Sequence, residues 1–161
     1  MTSLATKAGV SAAGVLLLTS IHHVYGAYIY ASPWRAHVAH VSALGIVVIA
    51  GALLILRRWP NTRAGDIALW SFVIVTVLFP VASIGLFEGG YNHVVKDALY
   101  FAGAPRAVMR TLFPAPVYEM PDDVLFEVSG VLQLPLALIA LHYTYCLVRA
   151  RIAGASARTH T

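Results

Sequence analysis

The stretch Ala8 to Tyr30, AGVSAAGVLLLTSIHHVYGAYIY, holds no Asp, Glu, Lys or Arg and exceeds the roughly 20 apolar residues that a helix needs to cross a bilayer. Three more runs of this kind follow, at Val38 to Leu56, Ile67 to Phe87 and Val124 to Val148, the last interrupted only by Glu127. With 59% hydrophobic and 11% charged residues in 161, a water-soluble globule would expose too much apolar surface, so lipid must cover it. In lipid each backbone polar group has to be satisfied within its segment, which favours helices. The runs do not alternate, which argues against a barrel. The expected fold is an all-α bundle of four transmembrane helices forming one domain over 1–161.

Charge placement orients the bundle. Lys7, Arg57, Arg58, Arg63, Arg149, Arg151 and Arg158 fall on one side, seven of the eleven basic residues. Positive flanks stay cytoplasmic, so both termini and the loop between the second and third spans are expected inside, in a multi-pass protein of the plasma (inner) membrane. Arg35, Lys96, Arg106 and Arg110 lie on the other side with every acid except Asp66. The net charge of +4 and pI near 9.5 come from such flanks, which contact anionic lipid and imply no nucleic-acid partner. The first run reads as a retained span, since it exceeds a signal-peptide core and Tyr28, Ile29 and Tyr30 are too bulky for a cleavage site. Cys146 is the only cysteine, so no intrachain disulfide forms. The tail from Ala153 to Thr161 reads as a frayed end.

The connection from Glu88 to Asp123 is long enough to hold structure of its own. After Gly89 and Gly90, polar Asn92, His93, Lys96, Asp97 and Tyr100 alternate with apolar Val94, Val95, Ala98, Leu99 and Ala102. That pattern predicts a short amphipathic helix lying flat on the outer surface, apolar side down. A second short helix is expected from Pro105, with Arg106 and Arg110 on one face. Pro114, Pro116 and Pro121 then enforce an extended stretch, and Asp122 is the expected N-cap of the fourth span, supported by Asp123.

Ionisable groups inside a span are functional candidates by default. His22 and His23 lie about 100° apart around the first helix, so one is expected to face the bundle and the other a neighbouring helix or the headgroups. His37 and His40 start the second span, Glu88 ends the third, His93 follows, and Glu127 lies one turn into the fourth, all toward the outer face. Imidazoles and carboxylates gathered from several helices are donors for zinc, copper or iron. The candidate metal ligands are therefore His22, His23, His40, Glu88, His93 and Glu127. The opposing view is that these groups simply hydrogen-bond one another and the headgroups, since no Glu-x-x-His or His-x-x-Glu-His spacing occurs. A two-histidine haem fits poorly, because His142 lies about 12 Å inward of His22 at the helical rise per residue. His142 with Tyr143, Tyr145 and Cys146 reads instead as an interfacial belt.

Tyr25, Arg35, Asn92 and Gln133 are the candidate substrate-binding residues, with Arg35 as counter-charge for Glu88 or Glu127. Pro80 and Pro135 each remove a helical hydrogen bond, which predicts bends and a polar cavity near Thr76, Ser83, Gly130 and Gln133. Gly45, Ala50 and Gly51 offer a dimer contact. Three function classes remain open: a metal- or cofactor-dependent redox protein or subunit, a binding or transport protein for a lipid, quinone or small ion, and an accessory subunit of a larger membrane complex. No nucleophile has an adjacent oriented base, so no enzyme class is assigned.

Overall fold

The computed structural model describes residues 2–159 and is 85% helical, without strands among the described residues. Helix α1 spans Thr2–Ile29, and a 3₁₀ turn at Pro33–Ala36 leads into α2 at His37–Arg58. Helix α3, Arg63–Thr76, runs on through a π-helical stretch, Val77–Val95, into α4, Lys96–Phe101. Then come α5 (Arg106–Leu112), α6 (Val124–Val131) and α7 (Gln133–Thr159). Four of the resulting rods are long and apolar enough to cross a membrane: Ser3–Ile29, Pro33–Arg58, Arg63–Phe101 and Val124–Gly154. The helical tail continues to Thr159, beyond the point where fraying was expected, and 160–161 lie outside the described residues.

Helix α1 packs along α2 and α7, and the α3–π–α4 rod packs along α7 and α2. Small residues permit the closest approach. Ala5, Ala8 and Ala12 of α1 are buried in the same cluster as Ala140 and Leu147 of α7, with Leu16, Leu69 and Phe72 filling the centre. Without a hydrophobic drive between helices in lipid, such close dispersion contacts are what hold a bundle together. Leu17, Ile21, Leu44, Val47, Leu54 and Ile74 point outward. At the end carrying both termini, Arg151 of α7 pairs with Asp66 of α3, and Arg57 Nη2 of α2 donates to Thr6 Oγ1 of α1 at 2.6 Å. Thr62 caps α3 by accepting from the Gly65 N–H at 3.2 Å.

The third rod departs from the sequence expectation. No break occurs at Gly89 and Gly90; a Cβ at Gly89 would lie 2.8 Å from Leu134 N and 3.1 Å from Gln133 Cβ, so this glycine permits contact with α7. The amphipathic pattern beyond it is real but inverted. Asn92, His93 and Lys96 are buried while Val94, Val95 and Phe101 are exposed, so no separate helix lies on the surface with its polar side out. Glu127 of α6, bonded to both His93 and Lys96, meets that polar side.

Other local differences have equally simple causes. Asp123, rather than Asp122, caps α6 by accepting from the Phe126 N–H at 2.8 Å, while Asp122 accepts from the Tyr30 hydroxyl at 2.7 Å. The expected helix after Pro105 forms as α5. Thr76 is buried and Ser83 is exposed, bonded to the Leu78 carbonyl, so they do not line one cavity. Between the third and fourth rods a Cβ on Gly85 would overlap Ala137; the rods touch there instead of parting. Gly45 is buried against Leu16 and Phe79 of its own chain, which leaves Ala50 and Gly51 as the outward small residues of that trio.

Gly130 is another such close approach, since a Cβ there would overlap the His93 ring. Gly130→Ala should lower stability by about 1–3 kcal/mol, the usual range for overpacking a filled interior. Gly51→Ala, where a Cβ meets nothing within 4 Å, serves as the neutral control. Denaturation midpoints in detergent micelles measure both, and equal midpoints would contradict the described packing.

Candidate functional site

The π-helical stretch explains how Glu88 and His93 come together. In an α-helix, at about 100° per residue, positions five apart point away from each other, whereas the wider i→i−5 winding sets them one above the other. Glu88 Oε1 therefore lies 3.7 Å from His93 Nε2 on its own rod. The same oxygen lies 3.7 Å from His22 Nε2 and 3.7 Å from His23 Nε2 of α1. Both α1 histidines reach it because they straddle the line along which α1 faces the third rod. Both rings face the third rod and neither reaches the headgroup side: His22 is fully buried and His23 is 9% exposed.

The other nitrogen of each ring is occupied, and its partner sets the tautomer. Ser129 donates its single hydroxyl proton to the Phe126 carbonyl at 2.9 Å, so it accepts from His22 Nδ1–H at 3.0 Å. His23 Nδ1–H donates to the Thr19 carbonyl at 3.0 Å. His93 Nδ1–H donates to Glu127 Oε2 at 2.6 Å. All three rings thus turn Nε2 toward one carboxylate oxygen, and His22 Nε2 has no hydrogen-bond partner. Orientation of imidazole by a carboxylate, carbonyl or hydroxyl behind it is the usual support of a metal ligand.

Distances of 3.7 Å are too long for hydrogen bonds. Donors that each sit about 2.0–2.2 Å from a shared ion lie roughly 3.4 Å apart at a tetrahedral angle and no more than about 4.4 Å apart in any geometry. The spacing of His22, His23 and Glu88 therefore fits a common ion with small adjustment, and His93 would have to shift toward them to join it. His22, His23 and Glu88 form one such candidate group; His93, Asp97 and Glu127 form another. The second is already satisfied by a cation of the chain, since Lys96 Nζ lies 3.0 Å from Glu127 Oε1 and 3.8 Å from Asp97 Oδ1. Glu88 has no Lys or Arg partner among the described residues; Asn92 Nδ2 donates to its Oε2 at 2.6 Å.

Around this group the bundle is closely fitted. Phe126 stacks on His22 with ring centroids 4.1 Å apart, and it does so where Gly26 leaves room for it. Arg35 is buried but corrects the expected pairing: its Nη2 donates to the Val117 carbonyl at 3.1 Å and to Glu119 Oε1 at 3.3 Å, and its guanidinium lies 5.0 Å from the Trp34 ring centre. The counter-charge of Glu127 is Lys96. Tyr118, in the loop outside the spans, has its phenol held above its ordinary value by burial and by its neighbours Tyr91 and Glu88.

Of the sequence candidates, His22, His23, Glu88 and His93 converge, with Glu127 directly behind His93. His40 is exposed on α2 and takes no part. Among the expected substrate residues, Asn92 supports Glu88, and Arg35 faces the loop. Tyr25 ties α1 to α6 through Asp123 Oδ2 at 3.1 Å. Gln133 is fully buried one turn beyond Ser129, its amide without a hydrogen-bond partner. His142 is exposed on α7, 3.7 Å from Cys146 Sγ. Ser129 and the buried Lys96 were missed. Glu88, Asn92 and Lys96 recur every four residues straight through Gly89 and Gly90, a stripe that signals one continuous helix with a polar inward face.

Removing one partner of a buried ion pair leaves an uncompensated charge, at a cost of about 3–5 kcal/mol. Lys96→Met should show a loss of that size in detergent denaturation, and Lys96→Met with Glu127→Gln should recover part of it. Strict additivity of the two substitutions would argue that the pair is not coupled. No family model matches this chain, and no curated protein or solved structure matches it.

Proposed function

We propose that this chain is a multi-pass plasma (inner) membrane protein, with cytoplasmic termini, that holds a first-row transition ion through His22, His23, His93 and Glu88 and serves in redox-type chemistry, alone or as a subunit of a membrane complex. The observation that carries the reading is the convergence of three imidazole Nε2 atoms on one carboxylate oxygen, each ring fixed from behind by a different partner. A polar group buried in a membrane bundle without a role is costly, and this arrangement concentrates four of them where a cation would satisfy all. Three nitrogen donors and one oxygen suit iron, copper or zinc; iron or copper would supply electron transfer at the site.

The protein's own residues would do the remaining work. Glu127 holds the His93 ring from behind, and Lys96 holds that carboxylate in place. Asn92 fixes the second oxygen of Glu88, leaving the first to face the imidazoles. Phe126 shields His22 on one face. A ligand group held this rigidly before binding needs little reorganisation on binding.

Metal analysis and an optical spectrum of detergent-purified protein test the reading. Wild type should hold close to one ion per chain, and the His22→Ala, His23→Ala double variant should lose it. Glu127→Gln should weaken affinity by about 10–100-fold, as expected for a support behind a ligand. Val47→Ala and Ile74→Ala, on outward faces, should bind as wild type does. Metal-free wild type, or equal metal content in all these variants, would move a lipid-binding or accessory role ahead. The cytoplasmic placement of the termini predicts that a C-terminal reporter is active only when it is one that works inside the cell.

A further inference from the structure

The cluster leaves open space on one side. A cavity of about 160 Å³, open on one side, borders His23, Glu88 and His93 and is lined as well by Trp34, Arg35, Phe87, Lys96 and Phe126. Its size is that of a single six-membered ring, since a cavity of about 150 Å³ accommodates benzene.

Charge and polarity narrow the occupant further. Both cations in the wall are compensated, Arg35 by Glu119 and the Val117 carbonyl and Lys96 by Glu127 and the Glu119 carbonyl. An anion would therefore meet no unpaired positive charge from the chain. Trp34, Phe87 and Val117 on the cavity wall are each about half exposed, at 51%, 52% and 53%, so its mouth is apolar in a bundle that faces lipid. A wholly apolar occupant would leave Glu88 Oε1 and the histidine nitrogens that face it without a further polar partner, which is unfavourable in a desolvated site. What fits is a neutral ring with an oxygen at one end.

We propose that this cavity binds a single-ring phenol or hydroquinone drawn from the membrane, its hydroxyl against the Glu88 and histidine wall and its ring between Trp34, Phe87 and Phe126. Any tail on the ring would leave past Phe87 and Val117. The proposal deepens the metal reading and rests on it for the hydroxyl's place beside an ion, while the cavity and its Glu88 acceptor belong to the chain and hold the ring without one.

The test uses 4-fluorophenol as probe, followed by ¹⁹F resonance in detergent with the full chain. Metal content is measured first, so a failure of the metal reading is scored separately. Protein without added metal and zinc-loaded protein should both give saturable binding. Val38→Phe, which places a ring in the cavity beside Trp34, should weaken that binding by about tenfold or more with metal content unchanged. Cobalt-loaded protein should broaden the bound resonance strongly, reporting a probe next to the ion. Fluoroacetate, a small anion, should bind at least about tenfold more weakly than the phenol. Phenol binding that Val38→Phe leaves unchanged, fluoroacetate binding as tight as the phenol's, or a cobalt ion that leaves the bound probe sharp would each overturn the proposal.

Discussion

The hydrogen bond from His93 to Glu127, with Lys96 on the carboxylate's other oxygen, is the constraint around which the loop-side half of this bundle is arranged. It joins the third rod to the fourth in a buried interior where neither charge is tolerated alone. Meeting it requires three things at once: a glycine at 130 so that the ring can enter, a continuous helix through Gly89 and Gly90 so that Lys96 arrives beside α6, and a change of winding so that Glu88 stays on the same face as His93. Each is a local compromise in backbone or packing, and each is repaid in satisfied polar groups. π-helical turns commonly occur at functional sites, where side chains must be re-aimed within an otherwise regular rod.

A division of labour follows along the bundle axis. Toward the termini, alanines and leucines interdigitate and the polar contacts lie at the rim, as with Arg151 and Asp66. Toward the opposite end the interior becomes polar, with His22, His23, His93, Lys96 and Glu127 all buried. The first half supplies rigidity by packing, and the second accepts strain and charge. Rigid helices on all sides are what hold three imidazoles at matched distances from one oxygen, a precision that a loop-borne site would rarely maintain.

Legibility in the sequence varied by kind of feature. The four spans were readable because length and apolarity are sums over many residues, insensitive to any single position. The membership of His22, His23, Glu88, His93 and Glu127 in one polar group was also readable, since ionisable residues in apolar runs are few and fell at the same depth. Lys96 was misread because an amphipathic helix looks the same whether its polar face meets water or a buried acid; only the neighbour across the interface distinguishes them. Arg35 was paired with the wrong carboxylate for the same reason, as Glu119 reaches it through a loop path that no periodicity encodes. His40 fell at the correct depth but on the outward arc of α2.

By itself, then, the chain's pattern of apolar runs and charges determined that this is a helical protein with four segments able to cross a membrane and a polar region gathered at one end. Tertiary structure alone decided which histidines meet, which nitrogen of each ring faces the carboxylate, and that Glu88 rather than Glu127 faces all three. The physical reason is that hydropathy is an additive, one-dimensional property, whereas ligand convergence depends on helix rotation, winding and the contact of small residues from different segments, which are fixed only when the rods pack together.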